Sequence, residues 1–291
     1  MDPLSLLWLF FILASLQPAV QRQALMLQRR RALAQISKRR GATVITLIHR
    51  QEQMSFLGFP LVRYIDIDDA EAVLRAINDT PSGRPIEMIL HTPGGMVIAA
   101  QQIASALADH DGHVTAIVGH YAMSGGTMIA LAADEIRLDP HAALGPIDPQ
   151  LGQYPAASLV EVAKLPGDHE DQTLLLADVG RKALLQVEEF AVRLLERHMA
   201  PARAKEVAHL MSSGVWTHDH PLLASDLTRY GLPVKVGVPD EERALLQLYP
   251  QPRGRSQAVE YVPSPAPPAT PSRREVPATR SQLSDTRRHS P

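Results

Sequence analysis

The 291-residue chain predicts an α/β fold built on a parallel sheet with crossover helices. Two observations carry that expectation. Between Gly41 and about Tyr249, short β-branched runs alternate with stretches of amphipathic helical period, the pattern of strands that return in parallel through helices. Two glycine-bearing turns, His91-Thr92-Pro93-Gly94-Gly95 and Tyr121-Ala122-Met123-Ser124-Gly125-Gly126-Thr127, each follow a strand-like run and open a helix-like one. In an open parallel sheet such turns face one crevice at the carboxyl ends of the strands.

Taken in order, the chain opens with Leu4–Val20, an uncharged run of 17 residues rich in Leu, Phe and Ile, at the lower limit for a helix that crosses a bilayer. Residues 1–20 therefore read as a transmembrane anchor. A cleaved signal would carry basic residues before the run, where this chain has Asp2. Residues 21–40 follow as a basic juxtamembrane segment with Arg22, Arg29–Arg31 and Lys38–Arg40 and no acid. By the positive-inside rule that segment keeps the next domain in the cytoplasm, on a single-pass cytoplasmic-membrane protein, and it also attracts anionic lipid headgroups.

Residues 41–249 form the predicted globular domain. Thr43–His49 and Ile86–His91 read as buried strands. A helix over Asp69–Asn78 has carboxylates in its first turn and Val73 and Ile77 on one face, and a second over Met96–Asp109 aligns Val97, Ala100, Ala104 and Leu107. Val114–Val118 is the next strand, and the chain then turns at Gly119–Gly126 into a helix ending near Ala132. Strands near Glu135–Leu138 and His141–Leu144 precede the loop Gly145–Pro149, and Pro155–Tyr230 is mostly helical. Residues 250–291 hold nine of the 24 prolines and almost no large apolar side chains, so they read as a disordered tail.

Composition narrows the chemistry. With 45% hydrophobic residues the chain can bury a sizeable core, and a net charge of −2 gives no reason to expect nucleic acid as a partner. Zero cysteines exclude a disulfide framework, a thiolate nucleophile and Cys-ligated metal. His110-Asp111-Gly112-His113 and His218-Asp219-His220 lack a third ligand on an adjacent predicted element, so neither reads as a zinc site. No phosphate-binding GxxxxGK[ST] loop is present, and no cofactor is expected.

The two turns point to acyl transfer. Successive glycines at Gly94 and Gly95 let backbone N–H groups come close to a ligand oxygen, which is what an oxyanion hole requires. Ser124, followed by two glycines and a helix, sits where its hydroxyl would face a helix N-terminus that favours developing negative charge. A lone serine there is most often an N-cap, and a lone Pro-Gly-Gly most often a tight turn. Their pairing at consecutive strand-to-helix junctions favours the catalytic reading.

His91–Gly95, Gly119–Asp134 (GHYAMSGGTMIALAAD) and Leu144–Gln150 (LGPIDPQ), with Ile45–Gly58 and Trp216–Asp219, resemble the SDH-type family of Clp-fold serine proteinases, relatives of the Clp protease proteolytic subunit and signal peptide peptidase A. The resemblance implies a ClpP/crotonase-like fold, hydrolysis of peptide bonds in peptide or protein substrates, a membrane-anchored homo-oligomer and a stomatin- or flotillin-like partner. It also implies that Ser124 is the nucleophile and that the N–H groups of Gly95 and Gly125 form the oxyanion hole.

The base stays open among three arrangements. The position at which the Clp proteolytic subunit carries its histidine falls near Ile147–Pro149, where this chain has none. Signal peptide peptidase A and its relatives use a desolvated lysine. Lys182 borders the apolar stripe Leu176, Val179, Ala183, Val187, Phe190 and Leu194 and is the leading candidate, with Lys164 next. A Ser/Asp/His set would instead use His218 with Asp148 or Asp134. The enzyme expected is a membrane-anchored serine endopeptidase. A catalytically silent scaffold of the same fold is the alternative, and a crotonase-type thioester enzyme ranks below both.

Overall fold

Five parallel strands lie side by side in the order β1 (Thr43–Ile48), β2 (Ile86–Thr92), β3 (Val114–Ala122), β4 (Glu135–Leu138) and, last in the chain, β9 (Val234–Val236). This is the arrangement in the computed structural model, which describes residues 3–49 and 63–249. The crossovers between the first strands are the expected helices, α2 (Ile67–Asn78) and α3 (Val97–Ala108), while α4 (Gly125–Leu131) leads from β3 to β4. Two short strands extend the sheet beside β3: β5 (Ala143–Leu144) pairs with its carboxyl end, and β8 (Leu222–Leu223) pairs antiparallel with β5. A small hairpin of β6 (Gln150–Leu151) and β7 (Tyr154–Pro155) stands apart from the sheet.

The largely helical stretch expected after residue 155 consists of α5 (Ala156–Val162), the 25-residue α6 (Asp171–Leu195), α7 (Pro201–Ser212) and α8 (Ala224–Tyr230), and α9 (Asp240–Gln247) follows β9. Strand alternation sorts the core. Met88 and Leu90 of β2 and Ala116 and Val118 of β3 enter the main cluster with Ala104, Leu131, Val187, Phe190 and Met211 from the helices. Ile89 and Ile117 point to the opposite face, where Ile36 and α9's Leu245 and Leu246 cover them.

That second layer revises the reading of the N-terminal region. Residues 3–40 form one continuous helix, α1 (Pro3–Arg40), and its last turns dock on the sheet. Arg29 donates to the Leu248 carbonyl at 2.8 Å and lies over the Tyr249 ring, Arg39 pairs with Glu241, and Arg40 reaches Glu242 at 3.3 Å. Part of the basic segment is thus engaged within the protein rather than offered to lipid. Among the described residues no helix is long and apolar enough to cross a membrane, so the transmembrane helix expected over residues 1–20 is not supported. Leu4–Val20 is 17 residues, at the lower limit for a bilayer-spanning helix, and the helix continues straight into arginine-rich turns. The proline-rich tail, and the part of the family-like run beyond His49, lie outside the described residues.

Candidate active site

The sheet brings the two glycine turns together because β2 and β3 are neighbours and end at the same level. Thr92 lies opposite Ala122, after a register irregularity between Leu90 and Thr92. The Met123 N–H donates to the Thr92 carbonyl at 3.0 Å, which ties the start of one turn to the other.

Gly94 and Gly95 are dictated by close approach. Gly94 has φ +104, and a Cβ there would stand 2.8 Å from the Ser124 Cβ and 2.9 Å from the Met123 carbonyl oxygen. At Gly95 a Cβ would fall 2.3 Å from both the N and the O of Ile65. Ile65 runs beside the turn as a one-residue parallel bridge, donating its N–H to the Gly94 carbonyl and accepting from the Met96 N–H, each at 2.8 Å. The Gly95 nitrogen lies near the other turn, 3.5 Å from the point a Cβ on Gly125 would occupy. Neither the Gly95 nor the Gly125 N–H donates to a protein group among the described residues.

Ser124 has φ 50 and ψ −115, the sole positive φ of a non-glycine among the described residues. A side chain held in that region costs about 1–3 kcal/mol, which the surrounding structure must impose. The N-cap reading fails on geometry: Ser124 precedes α4, yet its side chain makes no capping hydrogen bond to the helix.

A third segment closes the site. The Thr127 hydroxyl, fully buried, donates to the carbonyls of Ala122 (2.8 Å) and Gly145 (3.0 Å) and accepts from the Gly145 N–H at 3.1 Å. This binds the loop after β5 to the Ser124 turn, and a Cβ on Gly145 would strike the Met123 side chain at 2.3 Å. Three residues on, Asp148 is 1% exposed, with one carboxylate oxygen accepting from Gln150 at 2.6 Å and the other 2.8 Å from His218 Nδ1. An ionised carboxylate can only accept, so Nδ1 is the donor of this pair, and in a neutral ring Nε2 is then the acceptor. His218 sits on the loop after α7, with a third of its side chain open to solvent.

The other candidates lie elsewhere. Lys182 Nζ pairs with Asp178 at 2.5 Å on the outer face of α6, its side chain 66% exposed. Lys164 pairs with Glu161 and is 63% exposed. A lysine becomes a base at neutral pH by desolvation, and neither side chain is desolvated. Asp134 is at the opposite end of the sheet, where it accepts from the Val114 N–H that begins β3 and pairs with Arg197. Among the described residues no group of three or more His, Asp or Glu side chains could hold a metal ion.

A profile of the ClpP-like SDH-type serine proteinases matches residues 1–275. The chain belongs to this family. The parallel-rich α/β sheet is consistent with the family's ClpP-like fold. Two uncharacterized proteins of Methanocaldococcus jannaschii are similar along most of their length: MJ1495 is 47% identical over 89% of each chain. MJ0137 is 46% identical over 91% of this chain and 96% of its own. The membrane protein NfeD1b of Bacillus subtilis is 28% identical over 142 residues, 48% of this chain and 30% of that protein.

Two contacts around the glycine turns were not read from the sequence. Ile65, the clamp on the Gly94-Gly95 turn, looks like any buried β-branched residue. His49 Nε2 pairs with Asp69 and its Nδ1 with Thr92, at 3.0 Å each, and the D-x-x-D pattern of Asp66 and Asp69 signals only a helix cap.

The Thr127 hydroxyl gives the first prediction. Thr127→Val keeps shape but strands the Gly145 N–H and two buried carbonyls, and should lower unfolding free energy by about 1–3 kcal/mol in denaturant titration, with Thr127→Ser near wild type.

Proposed function

We propose that this chain is a serine endopeptidase in which Ser124 attacks the scissile carbonyl, His218 is the general base, Asp148 orients the imidazole, and the N–H groups of Gly95 and Gly125 form the oxyanion hole. The observation that carries the reading is Ser124 itself. A residue held at positive φ, forgoing its capping bond beside two glycines that admit no side chain, is backbone strain gathered at one hydroxyl. The base is assigned to His218 in place of Lys182, because His218 is paired to a buried carboxylate on the loop tethered to the Ser124 turn, whereas Lys182 is solvated.

In this mechanism His218 Nε2 takes the Ser124 proton as Oγ bonds to the carbonyl carbon, and the oxygen becomes an oxyanion facing the Gly95 and Gly125 N–H groups. Asp148 stabilises the imidazolium that forms. The proton passes to the leaving amine as the C–N bond breaks, and water then hydrolyses the acyl-enzyme by the same route. The substrate is a peptide segment bound along the crevice at the carboxyl ends of β2 and β3.

A fluorophosphonate probe and a peptide library test this assignment. Ser124→Ala should abolish both labelling and cleavage, and His218→Ala should lower both by about 10²–10⁴-fold. Lys182→Ala should stay within about twofold of wild type, as for loss of an exposed ion pair. Identical behaviour of wild type and Ser124→Ala would overturn the enzyme and leave a scaffold; loss of activity in Lys182→Ala would return the base to the lysine.

Association with a membrane through residues 1–20, with the catalytic domain in the cytoplasm, belongs to the same proposal, as do a homo-oligomer and a stomatin- or flotillin-like partner. What supports the membrane part is the apolar Leu4–Val20 run with basic residues after it, and the partial similarity to a protein named as a membrane protein. The full chain should float with liposomes and the chain lacking residues 1–20 should not. A reporter fused after Pro291 should be active in the cytoplasm, and activity on the opposite side would contradict the orientation.

A further inference from the structure

Behind the Gly94-Gly95 turn lies a second histidine–carboxylate pair that the catalytic mechanism does not use. His49, the residue after β1, is 6% exposed and Thr92 is fully buried. The His49 ring bridges Asp69 Oδ2 and the Thr92 hydroxyl, and the Thr92 oxygen accepts from the Gly94 N–H at 3.2 Å. Asp69 is itself fixed by the capping box that starts α2, accepting from the Asp66 N–H at 3.1 Å.

We propose that His49, held by Asp69, is a positioning residue for the oxyanion turn: it orients the Thr92 hydroxyl, which holds the Gly94 N–H and so fixes the direction of the Gly95 N–H. The inference rests on the reading of Gly95 as an oxyanion donor. Gly94 is the one residue of the turn with φ in the left-handed region, where glycine is free to rotate. Both its polar groups are clamped from one short segment of chain. Ile65 takes the carbonyl directly, while Asp69 takes the N–H through His49 and Thr92. Rotation of either peptide plane would swing the Gly95 N–H, and an oxyanion donor acts only when aimed in advance.

The proton inventory closes in one direction. Asp69 accepts from Nε2–H, the bare Nδ1 accepts from the Thr92 hydroxyl, and the Thr92 oxygen keeps a lone pair for the Gly94 N–H. Protonating Nδ1 would force the Thr92 hydroxyl toward the Gly94 carbonyl, 3.5 Å away and already accepting from Ile65. The neutral ring is the form that fits. Burial, the strongest influence, pulls the His49 pKa below its ordinary 6.5, and Arg63 adds to this, while Asp69 and Asp66 oppose it. A histidine with a depressed folded value makes stability fall as pH drops from above 6.5 until the depressed value is passed.

The test compares full-length wild type with Thr92→Val, Thr92→Ser and His49→Ala by fluorophosphonate labelling and by kcat and KM on a peptide substrate. Thr92→Val should lower kcat and the labelling rate about 10- to 100-fold with KM changed less than about twofold, and Thr92→Ser should restore most of the loss. His49→Ala should match Thr92→Val. Wild-type rates in folded Thr92→Val would overturn the positioning role and leave the proteinase reading intact. Absence of Ser124-dependent labelling in the wild type would instead overturn both. Nitrogen-15 NMR of the imidazole supplies a readout free of activity: His49 should be neutral with its proton on Nε2 at neutral pH. A proton on Nδ1 would contradict the proposal.

Discussion

Everything at the site depends on one contact, the approach of Gly94 to Ser124. A Cβ on Gly94 would collide with the serine's own Cβ and with the Met123 carbonyl, so the two turns fit only because one of them presents bare backbone. The positive φ of Ser124 is the other half of this constraint. A conformation worth 1–3 kcal/mol of strain, about the size of one good hydrogen bond to a charged group, persists only if its flanks are pinned. They are pinned on every side: Met123 to Thr92, Thr127 to Ala122 and Gly145, and Gly126 against the Thr92 methyl, where a Cβ would come within 2.5 Å.

Much of the molecule supplies that pinning. The β2–β3 pair sets the level of the two turns, and Ile65 adds a bridge that holds the first from outside. Short β5, paired with Tyr121 and Ala122, carries the chain from the end of β3 into the loop that bears Asp148. Ile147 donates to the Met211 carbonyl in the last turn of α7, which anchors that loop to the end of the helix that leads on to His218. Residues 70 positions apart thus meet at 2.8 Å. The sheet fixes the backbone of the two glycine turns, while the imidazole of His218 is carried by a loop and held by the buried Asp148.

The sequence made the sheet and its two turns legible, because alternating β-branched and amphipathic segments and glycine pairs are local signals. The strand-to-helix turn that carries Ser124 was legible for the same reason. The surroundings of the candidate bases were not. Helical period placed Lys182 at the border of an apolar stripe, but α6 buries the face carrying Ala177, Gly180, Val187 and Phe190 against its neighbours, which turns Lys182 outward to Asp178. Nothing local in Trp216–Asp219 announces that His218 reaches Asp148, since that pairing exists only through the packing of α7 on the loop after β5. The N-terminal helix shows the same limit. Its apolar run is a local signal, whereas the docking of its basic end, with Ile36 buried under the sheet and Arg40 on Glu242, depends on contacts with α9 that no local pattern announces.

In the proposed mechanism the Ser124 turn presents a hydroxyl to a carbonyl whose oxygen faces the Gly95 and Gly125 N–H groups. The most direct measurement is a crystal structure with a peptide boronic acid, whose boron forms a tetrahedral adduct with an active serine. The expected adduct has boron bonded to Ser124 Oγ, one boronate oxygen accepting from both glycine N–H groups and the other beside His218 Nε2. An adduct on another residue, or a boronate oxygen turned away from Gly95 and Gly125, would contradict it.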